Sequence, residues 1–330
     1  LKRLQKIMIV GLVISILILA GLMQGVQAAG RYKVYLPIIQ SGLAGAVQPP
    51  VISTPTRTPT STQAPGTADA VLIGAGDIAR CGSPGAQQTA KLLAQNPGTV
   101  VLLGDNAYES GSSTEYANCY NPFWGPFKSV TRPAVGNHDY KTTNAAGYFG
   151  YFGAAAHGPK GYYSYKLGAW HIVVLNSSCG QAGGCGTASP QGKWLKADLA
   201  ANPTVCTLAY WHHPYFSSGE WGNNTYMQPL VQLLYTAGAD VMLAGHDHDY
   251  ERFAPQNPAG SLDPAKGIVQ FVAGTGGSNN TPWTVVQPNS LVRQNTTFGV
   301  LKLTLHAKSY DWRFIPVSGK FADSGTAGCH

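Results

Sequence analysis

Five short islands along the chain carry residue types able to hold metal ions: GAGD at 74–77, GDNAY at 104–108, GNHDY at 136–140, WHHP at 211–214 and GHDHDYER at 245–252. Together they offer two carboxylates (Asp77, Asp105), a phenol (Tyr108), an amide oxygen (Asn137) and three imidazoles (His212, His246, His248). A phosphate ester resists attack because its oxygens repel anionic nucleophiles. Two cations about 3.5–4 Å apart neutralise that charge and acidify a bound water. One carboxylate must bridge such a pair, and Asp105 is the best placed. A mixture of imidazole and oxygen donors suits Fe, Mn or Zn rather than Ca. His246 and His248 are two apart in a loop, a spacing that lets them face different ions. A lone G-D or H-x-H is most often structural. Five such islands in order, each behind a strand, are hard to explain by packing alone.

Strands must position these residues. Val71–Ile73 and Thr99–Leu103 are continuously apolar, and Pro84–Gln95 between them has helix-forming composition, giving a strand–helix–strand unit. Tyr162–Leu167 and His171–Leu175, joined through Gly168 and Ala169, form a hairpin pattern. Ser189 caps an expected helix to Ala201 with Pro190 at its first position. Thr204–Trp211 and Asp240–Ala244 are expected strands around a helix at Met227–Ala237, and Ile268–Ala273, Phe298–Leu305 and Ser309–Pro316 make a strand-rich end. Asp77, Asp105, Asn137, His212 and His246 then sit at carboxyl ends of strands, where the loops of an α/β sheet converge. Glycines at 76, 104, 136 and 245 precede four of them and permit tight turns and close backbone approach. The expected class is α/β, with two mixed sheets packed together and helices outside.

The chain has 330 residues, 44% hydrophobic, enough for a sizeable core. Its formal charge of +7 is concentrated before residue 68, where Lys2, Arg3, Lys6, Arg31, Lys33 and Arg57 stand without any acid. Residues 68–330 keep 16 basic and 15 acidic residues, so they lack a phosphate-backbone footprint and no specific nucleic-acid binding is expected. Lys2, Arg3 and Lys6, the apolar run Ile7–Met23 and small residues up to Ala28 predict a signal peptide over 1–28. Contact with a membrane is expected only through that segment if it stays uncleaved. Residues 29–67 form a Pro/Thr/Ser-rich disordered tether, densest in QPPVISTPTRTPTSTQAPGT at 48–67. RYKVYLPII at 31–39 is either a sorting or contact element or a plain spacer. The catalytic domain is expected over 68–330.

Six cysteines in an exported chain suggest three disulfides, with about 15 pairings possible. Cys179 and Cys185 flank a Gly-rich loop and make the best pair. Cys81 and Cys119 each follow a motif strand, and Cys206 with Cys329 is the remainder. No C-x-x-C argues for a cysteine metal site. The expected location is secreted or extracytoplasmic.

The order GD…GDNAY…GNHD…HHP…GHDHDYER resembles the calcineurin-like metallophosphoesterases over nearly all of residues 70–320, and within them is most similar to the purple acid phosphatases. Many two-metal phosphoesterases have D-x-H in the first island. Here it is Asp77-Ile78-Ala79, and alanine binds nothing. The purple acid phosphatase pattern also lacks that histidine and has GD-x-x-Y in the second island, with the tyrosine on the first metal; Tyr108 holds that position. GYYSYKLGAWHIVVLN at 161–176 is similar to the same branch. The resemblance implies a four-layer α-β-β-α sandwich with a dinuclear site at the strand ends. It implies Asp77, Asp105, Tyr108 and His248 on the first ion, and Asp105, Asn137, His212 and His246 on the second. A tyrosinate favours a hard trivalent ion, so Fe(III) is expected there, beside Fe, Zn or Mn.

His138, next to Asn137, is expected in the substrate space, binding phosphate and protonating the leaving group. Asp139 would orient it, or be a solvated loop acid. His213 would contact the substrate phosphate, or sit on the rim. Arg252 would pair with Glu251 or reach the substrate, and the structural role is the one expected. His157, His171, His306 and His330 lack motif context. The aromatic segments holding Trp124, Phe127, Tyr148, Phe149, Tyr151 and Phe152 are expected mostly in the core. The whole predicts an exported, metal-dependent phosphoric ester hydrolase using a metal-bound hydroxide on a small phosphomonoester. The alternatives are a phosphodiesterase or nucleotidase on the same scaffold, or a non-catalytic cell-surface binding module. A serine hydrolase is disfavoured, since no G-x-S-x-G elbow is present.

Overall fold

The computed structural model describes residues 69–330; the expected signal peptide at 1–28 and tether at 29–67 lie outside the described residues. The chain begins with β1 (Ala70–Ala75), β2 (Ala79–Arg80), helix α1 (Gly85–Gln95), β3 (Thr99–Leu103) and β4 (Ala107–Tyr108). Short helical turns cover 113–130 before β5 (Thr131–Ala134), and α2 (Ala146–Phe152) follows. Then come β6 (Tyr163–Leu167), β7 (Trp170–Val174), α3 (Pro190–Ala201), β8 (Thr207–Tyr210), α4 (Gln228–Thr236), β9 (Val241–Ala244), β10 (Tyr250–Phe253) and β11 (Val269–Ala273). The last strands are β12 (Ser290–Gln294), β13 (Gly299–Leu305), β14 (Ser309–Pro316) and β15 (Ser324–Gly328).

These strands make two large mixed sheets, ordered β15-β14-β13-β1-β3-β5 and β12-β10-β11-β9-β8-β7-β6. The inner strands β1, β3, β8 and β9 are apolar apart from a leading threonine in β3 and β8, because both faces are covered, and alternate residues divide between two cores. Leu72, Val101, Leu103, Leu208, Tyr210, Val241 and Leu243 point between the sheets. Ile73, Val100 and Leu102 face the other way, toward a core that also holds Leu93, Tyr116, Tyr120, Trp124, Tyr148 and Phe152. Ala209, Trp211 and Met242 join Leu195, Leu230, Val231 and Leu234 in a third core. Three cores separate four layers, as the α-β-β-α expectation requires. Each large side chain buried this way stabilises by about 1.5–3 kcal/mol.

Ser189 caps α3, its hydroxyl accepting from the Gly192 amide, with Pro190 at the first position as expected. Cys81–Cys119, Cys179–Cys185 and Cys206–Cys329 are all bridged. Trp124, Tyr148 and Phe152 lie in the core, as expected of the aromatic segments. Six strands have no counterpart in the sequence pattern: the two-residue β2 and β4, and β5, β10, β12 and β15. β5 reads TRPA, and its proline is tolerated because β5 is an edge strand. β15, SGTAG, is also an edge and has almost no side chains to bury. Arg252 is structural, but its partner is Asp323, at 2.7 and 2.9 Å, rather than Glu251. Glu251 instead accepts from the amide and hydroxyl of Ser218.

Candidate metal centre

The first two islands are joined by backbone. The amides of Asp77, Ile78 and Ala79 donate to the carbonyls of Gly104, Asp105 and Asn106 at 3.0, 3.1 and 3.2 Å. β2 and β4 continue this pairing, with Arg80 opposite Tyr108. The ladder places the Tyr108 phenol 2.7 Å from Asp77 Oδ1, 3.1 Å from Asp105 Oδ2 and 3.1 Å from His248 Nε2. His248 Nε2 is 3.2 Å from Asp77 Oδ1. The tyrosine that stands where a D-x-H histidine is missing thus reaches the same donor atoms.

The other islands arrive on the loops after β5, β8 and β9. His212 Nε2 is 3.3 Å from Asp105 Oδ2, 2.9 Å from Asn137 Oδ1 and 3.2 Å from His246 Nδ1. Asp105 Oδ2 is therefore common to both groups of donors. Its other oxygen accepts from the His138 amide at 2.7 Å, and Asp77 Oδ2 accepts from the His246 amide at 2.7 Å. His246 and His248 do fall in different groups, as their spacing allows.

The imidazoles are aimed by partners on their far nitrogens, a usual support for metal-binding histidines. His212 Nδ1 lies 2.8 Å from the Leu103 carbonyl, and His248 Nδ1 lies 3.0 Å from Asn279 Oδ1. Asp77, Asp105 and His246 all adopt left-handed φ, 60°, 51° and 71°, a conformation that non-glycine residues hold at functional sites when their surroundings enforce it. Gly104 shows why a glycine precedes Asp105. Its φ is +85°, and a Cβ there would lie 2.5 Å from His212 Nδ1.

The electrostatics fit a cation-binding site. Burial pushes the Asp105 carboxyl up, but His212, then His138 and His246, outweigh it and hold Asp105 below the usual carboxylate range. Burial lowers His212, yet Asp105 raises it to about 9. Burial, then the charges of Asp105 and Asp77, lift the Tyr108 phenol well above its ordinary value. Two carboxylates and a phenol with one imidazole form a donor set that only a strongly charged cation can hold together with the phenol ionised.

His138 sits at the centre, 3.9 Å from Asp105 Oδ2 through Nε2. Its Nδ1 is 2.7 Å from the Glu109 carbonyl and 2.9 Å from Lys141 Nζ. Asp139 differs from both expectations. It is fully buried, and its oxygens accept from Gly136 N at 2.9 Å, Asn106 Nδ2 at 3.0 Å and the Tyr116 hydroxyl at 2.7 Å. It holds the 136–140 turn in shape, while the Glu109 carbonyl orients the His138 ring. His213 lies beside the second group, its ring centroid 4.3 Å from that of His246 and its Nδ1 2.8 Å from Ser177 Oγ. Burial, then His212, lowers its pKa to about 3, so it is neutral. The four remaining histidines are structural: His157 stacks on Tyr163, His171 meets Asp198, His306 meets Asp69 and Asp311, and His330 meets Asp240.

Several site residues carry no signal in their own islands. Arg80 lies over the Tyr108 ring at 5.1 Å and forms an ion pair with Glu109. Asp247, between His246 and His248, accepts from the Ser217 hydroxyl and from the Trp221 amide at 2.9 Å. It anchors the loop that leaves Trp221 60% exposed, with its ring 5.7 Å from that of His246. The alternation in HDHDYE is the one signal that could have revealed it, since alternate residues of an extended segment face opposite sides. Arg80, His138, Lys141, Glu220 and Trp221 line a cavity of about 340 Å³ over the donor atoms.

The chain matches the model of the calcineurin-like phosphoesterase family over residues 63–250. It is similar to purple acid phosphatase 15 of Arabidopsis thaliana, 29% identical over 225 residues, covering 57% of this chain and 41% of that protein. Among solved structures it is similar to a purple acid phosphatase from yellow lupin (Lupinus luteus) seeds, with TM-score 0.64, 18% identity and coverage of 79% of this chain and 54% of that one. The same fold occurs in GAP50, the anchor in the inner membrane complex of Plasmodium, with TM-score 0.62, 16% identity and coverage of 79% and 89%. The chain spans about two fifths of the length of the curated relatives it matches. With its family model covering more than half of its length, the chain belongs to the calcineurin-like phosphoesterase family.

Proposed function

We propose that the protein is an exported, dinuclear metal-dependent phosphoric ester hydrolase acting on small phosphomonoesters, in the manner of the purple acid phosphatases it resembles. The observation that carries this reading is Asp105 Oδ2, shared between an oxygen-rich donor group and a nitrogen-rich one. Asp77, Asp105, Tyr108 and His248 would hold Fe(III); Asp105, Asn137, His212 and His246 would hold Fe, Zn or Mn. Bound there, the two ions would neutralise the phosphate oxygens and supply the hydroxide nucleophile.

The chain's own residues do the rest. His138, fixed through Nδ1 by the Glu109 carbonyl, presents Nε2 toward the centre. From there it binds a phosphate oxygen and gives a proton to the leaving oxygen. His213, held neutral beside His246, donates or accepts a hydrogen bond at the edge of the same space. Three disulfides and the expected signal peptide support export.

The test is turnover of p-nitrophenyl phosphate and bis(p-nitrophenyl) phosphate by protein of measured metal content, with His138→Ala as control. Monoester turnover that needs metal and falls about a hundredfold or more in the variant supports the reading. Preference for the diester moves the assignment to a phosphodiesterase. Metal binding without turnover of either would favour the cell-surface binding module.

A further inference from the structure

The surroundings of the cavity over the donor atoms divide into two chemically unlike groups. Arg80, His138 and Lys141 make the first. Arg80 lies over the Tyr108 ring at 5.1 Å, His138 packs on that ring with 4.5 Å between centroids, and Lys141 Nζ is 2.9 Å from His138 Nδ1. A row of rings makes the second. Between centroids, Trp221 is 5.7 Å from His246, His246 is 4.3 Å from His213, and His213 is 6.0 Å from Tyr226. The two ends of this row are the most exposed of the Trp, Tyr and Phe residues among the described residues, Trp221 at 60% and Tyr226 at 45%. Both ride on the segment between β8 and α4, and Trp221 lines the cavity itself.

The exposure of Trp221 does not come from a slack loop. Its amide donates to Asp247 Oδ1 at 2.9 Å, and the Ser217 hydroxyl donates to the other oxygen of Asp247. The Ser218 amide donates to Glu251 at 2.8 Å, and the carbonyls of Ser218 and Gly219 accept from the amide and hydroxyl of Thr284 at 3.0 and 2.9 Å. Gly219 permits the close approach, since a Cβ there would lie 2.3 Å from Asp247 Cγ. Lone apolar residues on a surface are ordinary. An indole held bare by a fixed loop, on the wall of a ligand cavity, offers a large contact area at little cost in ordering.

We propose that Trp221 is a specificity-determining residue that stacks on a flat, apolar leaving group, so that the preferred substrates are aryl phosphomonoesters. This inference rests on the phosphomonoesterase reading and names its substrate class. The phosphate would lie over the donor atoms beside the cationic group, and the ring on its ester oxygen would lie along the indole. Trp221 stands next to a donor imidazole, so it meets what is attached directly to the phosphate. That favours an aryl ester over a nucleotide, whose base lies several bonds away from the phosphorus.

The experiment measures kcat/KM of the metal-loaded protein for 1-naphthyl phosphate and for glycerol 2-phosphate, in wild type, Trp221→Ala and Trp221→Phe. The wild type should favour the naphthyl ester. Trp221→Ala should lower the ratio of the two values about five- to tenfold, the scale of one aromatic pair, and Trp221→Phe should keep most of it. Loss of folded protein or of metal lowers both rates alike and leaves the ratio, so the ratio reads the ring. An unchanged ratio in Trp221→Ala, an equal fall in both variants, or a wild type that favours glycerol 2-phosphate would overturn the inference. If the wild type hydrolyses neither compound, the phosphatase reading fails, and calorimetric titration with phenylphosphonate and methylphosphonate decides the role of Trp221 separately. Trp221→Ala weakening the first more than the second then supports it, and equal effects overturn it.

Discussion

The two halves of the candidate metal centre share Asp105 and differ in almost everything else. The half around Tyr108 has three oxygen donors that can be anionic and one imidazole, and its loops are zipped together by backbone hydrogen bonds between 77–79 and 104–106. The half around His212 adds only neutral donors to Asp105, two imidazoles and an amide, brought from separate loops after β5, β8 and β9. Charge and hardness favour a trivalent ion in the first half and a divalent ion in the second. Pre-formed backbone favours slow release from the first, and independent loops favour easier exchange from the second. On the proposed assignment, one fold builds two unlike sites from one shared carboxylate.

The sharpest way to break this comparison is to remove what the halves share. Asp105→Ala should lose both ions and lower turnover on the order of a thousandfold or more, the scale expected when several kcal/mol of charge stabilisation disappear. Asn137→Ala should lose only the second ion. Elemental analysis of the two purified variants checks both; retention of two equivalents by Asp105→Ala would mean that Asp105 does not bridge. Next in size is Tyr108→Phe. The change keeps the buried ring and removes only the hydroxyl that meets Asp77, Asp105 and His248. Oxidised, iron-loaded wild type should show a visible tyrosinate charge-transfer band, and the variant should lack it while keeping the second ion. An iron-replete wild type without the band would place no ferric ion on Tyr108. A milder treatment separates the halves without mutation. Brief chelation should strip the second ion first, with the visible band surviving after activity is lost, and Zn or Mn should then restore activity. Loss of the band before the activity would invert the assignment.

The same contrast explains what could be read from the sequence. Most donors of both halves are legible because Asp77, Asp105, His212 and His246 close apolar strands, a glycine precedes Asp77, Asp105, Asn137 and His246, and a metal site needs those residue types at strand ends. The four layers are legible where strands are apolar on both faces, as in β1, β3, β8 and β9. β5 is not, because TRPA carries a proline and a charge that only an edge strand tolerates. The support around the donors is also hidden. Asp139 sits in an acidic-looking exposed motif yet is buried against Asn106 and Tyr116, both brought to it by the folding of distant loops. Asp247 and Glu115 act through partners that no local spacing announces.

Glu115 gives the gentlest test of the more rigid half. Its carboxylate accepts from Ser110 N at 3.1 Å and from Ser112 N and both serine hydroxyls at 2.8 Å, closing a capping box with Ser112. This loop begins at Glu109, whose carbonyl holds His138, so the cap reaches the site through one residue. Burial pushes the Glu115 carboxyl up, but the hydrogen bonds from Ser112 and Ser110 outweigh it and hold it below its ordinary value near 4.5. A carboxyl lowered in the folded state contributes stability that is present above the unfolded value and is lost as the pH falls through the folded one. Glu115→Gln should therefore lower stability by about 1 kcal/mol near neutral pH, a typical cap effect, or roughly 2–4 °C in melting temperature. The difference from wild type should shrink as the pH is taken below about 4. Thermal melts of the two proteins across this range check the sign. A gap that stays constant into acid would mean that the bonds to Glu115 do not depend on its charge. The rigidity of the 109–115 loop would then come from the cores beneath it.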